Sequence, residues 1–237
     1  MNVVFEEEGH TYTNTETSEL YISATTLLRD YHEPFDSIGA ATRVSKREGV
    51  EMQFILDLWQ RQNDEANVKG TFIHKIIEDH LTGQLTRDHP KILKLVKQFD
   101  AIQKDHVLPR YTEIHSEKVL WNHDHKLAGM ADIIYDYKDG FIIGDIKTNK
   151  KFNFYSAYND YMKAPVGHLH HCQFNEYCLQ LSLYAFMREE LTQTTCKGLV
   201  VYYYDPTLSD FVAYHLNYMK SEIELLINHY TSSKIKS

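Results

Sequence analysis

The chain has little cysteine, no long apolar run and no excess of positive charge, and each shortage narrows its class. Its 237 residues hold just Cys172, Cys178 and Cys196, too few and too scattered for a disulfide framework, so a reducing compartment is expected. No stretch approaches the ~20 consecutive apolar residues of a membrane-spanning helix. The opening Met1-Asn2-Val3-Val4-Phe5-Glu6-Glu7-Glu8 is acidic and has no signal-peptide pattern. The formal net charge of −8 argues against a chain that holds nucleic acid through a broad basic face. Internal repeats, low-complexity tracts and convincing linkers are also lacking. With 43% hydrophobic residues, the length is enough for one sizeable core and most simply one domain.

What is present is a pair of β-type runs carrying acids. Ala131-Asp132-Ile133-Ile134-Tyr135 and Phe141-Ile142-Ile143-Gly144-Asp145-Ile146-Lys147 flank Asp139-Gly140, a strong two-residue turn signal. With Asp139-Gly140 as the loop, Lys138 pairs with Phe141 and Asp132 falls opposite Lys147. Asp145 shares that face at a spacing of two. Two carboxylates and a lysine then converge. Buried together, the acids repel and need a proton or a cation. A hard ion such as Mg²⁺ or Mn²⁺ suits them, with the lysine placed to orient water or neutralise phosphoryl charge. An isolated D-x-K is usually a solvated ion pair. The apolar, β-branched flanks here favour a buried sheet and therefore a site.

Along the chain, residues 3–23 read as short strands around the polar turn Asn14–Thr17, with Ser23 capping a helix from Ala24. Helical character runs from about Phe35 to Leu81, with a break expected at Asn67–Gly70 and a stop at Gly83. His74 and Glu78 share one helix face. Pro90 opens a helix to about Lys104 with a core stripe of Ile92, Leu93, Leu95, Val96 and Phe99. Strands are expected at about 111–121, 126–137 and 141–147, a helix at 173–190, strands at 199–204 and 211–214, and a last helix at 221–230. This order makes an α/β sandwich.

The run from Lys150 to Tyr161 interleaves Lys150 and Lys151 with Phe152, Phe154, Tyr155, Tyr158 and Tyr161. It fits either base stacking on a single strand or core packing. Lys147, Lys150 and Lys151 form one local basic cluster, and Arg43, Lys46 and Arg47 another. His168, His170 and His171 have a spacing compatible with zinc ligands, but no cysteine or acid set in the sequence completes them. They read as loop or DNA-contact residues.

The motif order Gly70-x-x-x-His74, Glu117, Gly129-x-x-Asp132, Asp145-x-Lys147, Gln180-x-x-x-Tyr184 resembles the PD-(D/E)XK nuclease superfamily in its RecB-like exonuclease branch. Within it, the chain resembles phage-encoded and mitochondrial genome-maintenance exonucleases, over roughly residues 20–190. Each motif is weak alone, and five in order are strong. Ala131 stands where the superfamily often has proline, and Asp145 where it often has glutamate.

The resemblance implies a restriction-endonuclease-like core, with a mixed central sheet flanked by helices. It would have an N-terminal strand and helical region over about 1–110, a catalytic core over about 70–215 and a C-terminal helix over about 216–232. Asp132, Asp145 and Lys147 would be catalytic. His74, Asp132, Asp145 and the carbonyl of Ile146 would bind Mg²⁺ or Mn²⁺. Gln180, Tyr184, Lys150 and Lys151 would meet substrate, with Glu78 and Glu117 in support. Relatives with an iron–sulfur cluster use four cysteines, so none is expected here.

The implied activity is metal-dependent hydrolysis at single-stranded DNA ends during replication, recombination or repair. A bacterial or infected host cytoplasm is the implied setting, and a replication or recombination protein a candidate partner. The alternatives are a flap or junction endonuclease and a catalytically silent nucleic-acid-binding module. Another hydrolase class finds no support, because G-x-S-x-G, H-E-x-x-H and G-x-x-x-x-G-K-[ST] are all lacking.

Overall fold

A computed structural model describes residues 2–107 and 111–235. The chain opens with β1 (Val3–Glu6), β2 (Thr11–Asn14) and β3 (Leu20–Ser23), followed by helices α1 (Ala24–Arg29), α2 (Ser37–Glu48), α3 (Met52–Leu81) and α4 (Pro90–His106). Next come β4 (Glu113–Asn122), β5 (Leu127–Tyr137), β6 (Gly140–Lys147), α5 (Gln173–Thr192), β7 (Cys196–Asp205), β8 (Asp210–Leu216) and α6 (Lys220–Ile235). The local signals act as expected at several ends. Ser23 accepts from the Thr26 N–H at 3.0 Å to start α1, and Pro90 opens α4.

The helix break does not fall at Asn67–Gly70. α3 runs unbroken through it, and the interruption lies at Gly49, whose φ of 67° ends α2. Gly70 is kept in the helix by packing: a Cβ there would meet Thr148 Oγ1 at 2.7 Å.

The strands form one mixed eight-stranded sheet in the order β1-β2-β3-β5-β6-β7-β8, with β4 pairing the other edge of β5. One face packs on α1, α5 and α6 through Leu27, Phe141, Ile143, Leu179, Leu183 and Leu226. The other packs on α3 and α4 through Ile73, Ile77, Phe99, Ile142, Ile146 and Tyr202. Covered on both faces, β6 is buried at every residue but its last, which explains its continuous apolar run. The arrangement is consistent with a restriction-endonuclease-like core.

The β5–β6 turn is Lys138-Asp139, one residue earlier than the Asp139-Gly140 signal indicates. Tyr137 pairs with Gly140 and Ile133 with Gly144. Gly140 is already in the strand: the next residue, Phe141, donates its N–H to the Thr195 carbonyl at 3.0 Å, and a Cβ on Gly140 would come within 2.3 Å of that oxygen. Continuing this count sets Asp132 beside Asp145 rather than Lys147. Every partner moves by two residues, so the shared face survives.

The open edge of β5 positions the site. β3 pairs with β5 at Leu127 and Ala128, and β6 takes over from Ile133. Residues 129–132 therefore lie in a fork between two strands. On the opposite edge, β4 keeps constant register, yet Glu117, level with Asp132, has a left-handed φ of 50°. Ala131 and Ile134 both enter the core under α5, although strict alternation would part them. In β4, Ile114 and Leu120 likewise sit on opposite faces. Both strands thus kink at the same rung.

Candidate active site

The fork gathers side chains from four elements. Asp132 leaves the kinked rung of β5, and its Oδ2 accepts from the Ile146 N–H at 2.8 Å, replacing a ladder bond that no strand supplies there. His74, on α3, brings Nδ1 to 3.4 Å from the same oxygen. Glu117 joins from β4: His74, Glu117 and Asp132 each offer a ligand atom within 4.8 Å of the other two. They line an open cleft of about 940 Å³ with Glu78, Lys75, Thr148 and, from the first hairpin, Glu7 and His10.

Asp145 and Lys147 lie deeper, on the α5 side. Asp145 is 2% exposed and pairs with the Lys147 ammonium at 2.6 Å. Lys147 Nζ also stands 4.9 Å from the centre of the Tyr177 ring. Burial raises the Asp145 carboxyl above its ordinary pKa, the Lys147 charge opposes this, and Asp132 adds to it. Burial alone would lower the Lys147 pKa, but Asp145 and Asp132 outweigh it and the net shift is upward. Glu117 is pushed up to about 8, by burial first and then by Asp132, Glu78 and Asp145. Acids outnumber cations here, and the excess is what a divalent ion relieves.

The motif glycines have contact reasons. Gly70 admits Thr148, the residue after Lys147. Gly129 admits Tyr184, whose Cε1 would be 2.5 Å from an added Cβ. Tyr184 is 4% exposed and its hydroxyl accepts from Gln180 Nε2 at 2.9 Å. It therefore supports the sheet beneath the site, and Gln180 is the more accessible of the pair. Glu78 pairs with Lys75 at 3.0 Å, so its carboxylate serves a lysine rather than the His74 ring. Lys150 and Lys151 are exposed just beyond β6.

The 150–161 segment is part packed and part exposed, and Tyr161 stacks on His170 at 4.5 Å. Phe152 stacks on Tyr214 at 4.3 Å and Phe154 packs on Phe174. Tyr155, Tyr158 and Tyr161 stay exposed, at 74%, 86% and 47%. Sequence reasoning missed Tyr177, which lies one helical turn before Gln180. It also missed the tip of the first hairpin, which no motif marks.

No family model matches the chain, and no curated protein does. Among solved structures, it is similar to a candidate exonuclease from Eubacterium rectale, at 12% identity and a TM-score of 0.44, covering 70% of this chain and 66% of that one. It is also similar to SSO0001, at 14% identity and a TM-score of 0.35, covering 90% and 75%. Likenesses this distant leave the chemistry to be argued from the site itself.

Proposed function

We propose that this chain is a metal-dependent deoxyribonuclease of the PD-(D/E)XK kind, hydrolysing phosphodiester bonds at DNA ends with a preference for single strands. The observation that carries this reading is the meeting of His74, Glu117 and Asp132 at the sheet fork, with the buried Asp145 and its partner Lys147 alongside.

The donors fit a hard divalent ion, Mg²⁺ or Mn²⁺: carboxylate oxygens with one imidazole, in a cleft wide enough to admit phosphate and water. His74, Asp132, Asp145 and the Ile146 carbonyl would hold it, with Glu117 as a further acid. When bound, the ion would polarise the scissile phosphate and acidify a bound water. Lys147 is held on two sides, by Asp145 and by the Tyr177 face, and its ammonium would neutralise charge developing on the phosphoryl oxygens. Asp132 is held by the Ile146 N–H, which keeps its carboxylate aimed into the cleft. Exposed Tyr155 and Tyr158 offer faces for stacking bases, worth ~1–3 kcal/mol each. Lys150 and Lys151 offer phosphate contacts next to them.

The test is a gel time course on single-stranded DNA labelled at either end, with Mg²⁺, Mn²⁺ or chelator and a circular strand as control. Metal-dependent laddering that spares the circle is expected, and gives the polarity. Cutting of the circle would make the enzyme an endonuclease. No cleavage with any metal would favour a silent binding module.

A further inference from the structure

A second group of metal-type donors forms away from the cleft, where the sequence pattern shows only part of a set. The fold brings His32, from the connector after α1, and Glu176, from the first turn of α5, against His171. Each offers a ligand atom within 4.8 Å of the other two. His171 Nε2 is 2.7 Å from Glu176 Oε1. The His32 and His171 rings stack at 4.6 Å with an 18° interplanar angle. All three side chains are half-buried.

Backbone bonds anchor the three segments. The Lys163 N–H donates to Tyr31 O at 2.7 Å, the His171 N–H to Asp160 O at 2.9 Å, and the Glu176 N–H to Cys172 O at 3.0 Å. His32 Nδ1 meets the Glu33 carbonyl at 3.2 Å. A carbonyl only accepts, so Nδ1 carries the hydrogen and Nε2 keeps its lone pair. That tautomer, with its outer nitrogen held by a carbonyl, is the one a metal-bound imidazole uses.

We propose that His32, His171 and Glu176 form a transition-metal site, taking Zn²⁺ or a similar ion through two imidazole nitrogens and one carboxylate oxygen, with water in the fourth position. A plain ion pair accounts for His171 and Glu176 but not for a third donor, His32, brought against both. Zn²⁺ binds such donors at ~2.0–2.2 Å, so the two rings would turn out of their stack and the three half-buried groups draw together around it. Two nitrogens in three donors favour Zn²⁺ over Mg²⁺, which prefers oxygen alone. The site is separate from the acidic cleft. It borders a groove lined by Thr25, Arg29, Tyr177 and Gln180, and Glu176 lies one helical turn before Gln180. A bound ion would tie the α1–α2 connector to the helix that carries Tyr177 beneath Lys147.

The experiment is calorimetric titration of the full chain with Zn²⁺ in excess Mg²⁺, for wild type, His32→Ala, His171→Gln and Asp132→Asn. Wild type and Asp132→Asn are expected to bind a single ion alike, and the histidine variants to bind it at least ~10-fold more weakly. Circular dichroism checks their folding. His32 lies on a connector, so its variant remains informative even if His171→Gln unfolds. Absence of Zn²⁺ binding, or unchanged affinity in His32→Ala, would overturn the proposal. Loss confined to Asp132→Asn would assign the ion to the cleft and overturn it as well.

Discussion

Glu117 combines two costs at one residue: a left-handed φ of 50° in a strand and a half-buried acid facing three others. Neither helps folding, and both set its carboxylate beside His74 and Asp132, where an ion would offset them. The pH consequence follows in sign. Its pKa rises from 4.5 to about 8, so across that window the folded chain keeps a proton that the unfolded chain has released. Metal-free stability therefore falls as pH rises from 4.5 to about 8. Glu117→Gln should flatten that part of the stability profile in urea denaturation run across pH, and an unchanged slope would refute the assignment. A divalent ion displaces the same proton, so its apparent affinity in wild type should climb with pH until about 8.

At the scale of elements, two motif glycines act as clearance. Gly129 lets Tyr184 lie against β5, so Gly129→Ala should push the ring and its Gln180 partner away. The expected loss is ~1–3 kcal/mol, read as a lower urea midpoint with unchanged m-value, and wild-type stability would contradict it. Much of this level is legible in the sequence. The alternating and continuous apolar runs mark β4–β6, and Pro90, Ser23 and Gly83 mark helix ends. The shared face of Asp132, Asp145 and Lys147 survives a misplaced turn because the shift moves each partner by two residues.

What the sequence hides depends on distant contacts. The Thr195 carbonyl binds the Phe141 N–H and lies close against Gly140, and Thr148 lies over Gly70 within an unbroken helix. The kink at Glu117 has no glycine or asparagine to announce it. Tyr177 belongs to the site only because α5 crosses under β6, and His171 meets His32 and Glu176 only through loop packing.

The whole molecule carries a net charge of −8, which limits how it can hold a polyanion. Its basic residues near the site are few: Lys147 is half-buried against Asp145, Lys75 pairs with Glu78 and Asp79, and Lys150 and Lys151 are exposed just beyond β6. Affinity for single-stranded DNA, measured by fluorescence anisotropy with metal and an inactive variant, should depend only weakly on salt. A log–log slope shallower than about −3 is expected. A much steeper slope would point to a basic track elsewhere on the surface.

No helix among the described residues is long and apolar enough to cross a membrane. The architecture sets the buried Asp145 beside the half-buried His74, Glu117, Asp132 and Lys147 at the β3–β6 fork. The most direct test of that claim is to measure DNA binding and metal-dependent cleavage together for wild type and Lys147→Ala. The account predicts retained binding and a loss of cleavage of at least ~100-fold. Cleavage by Lys147→Ala near the wild-type rate would contradict it.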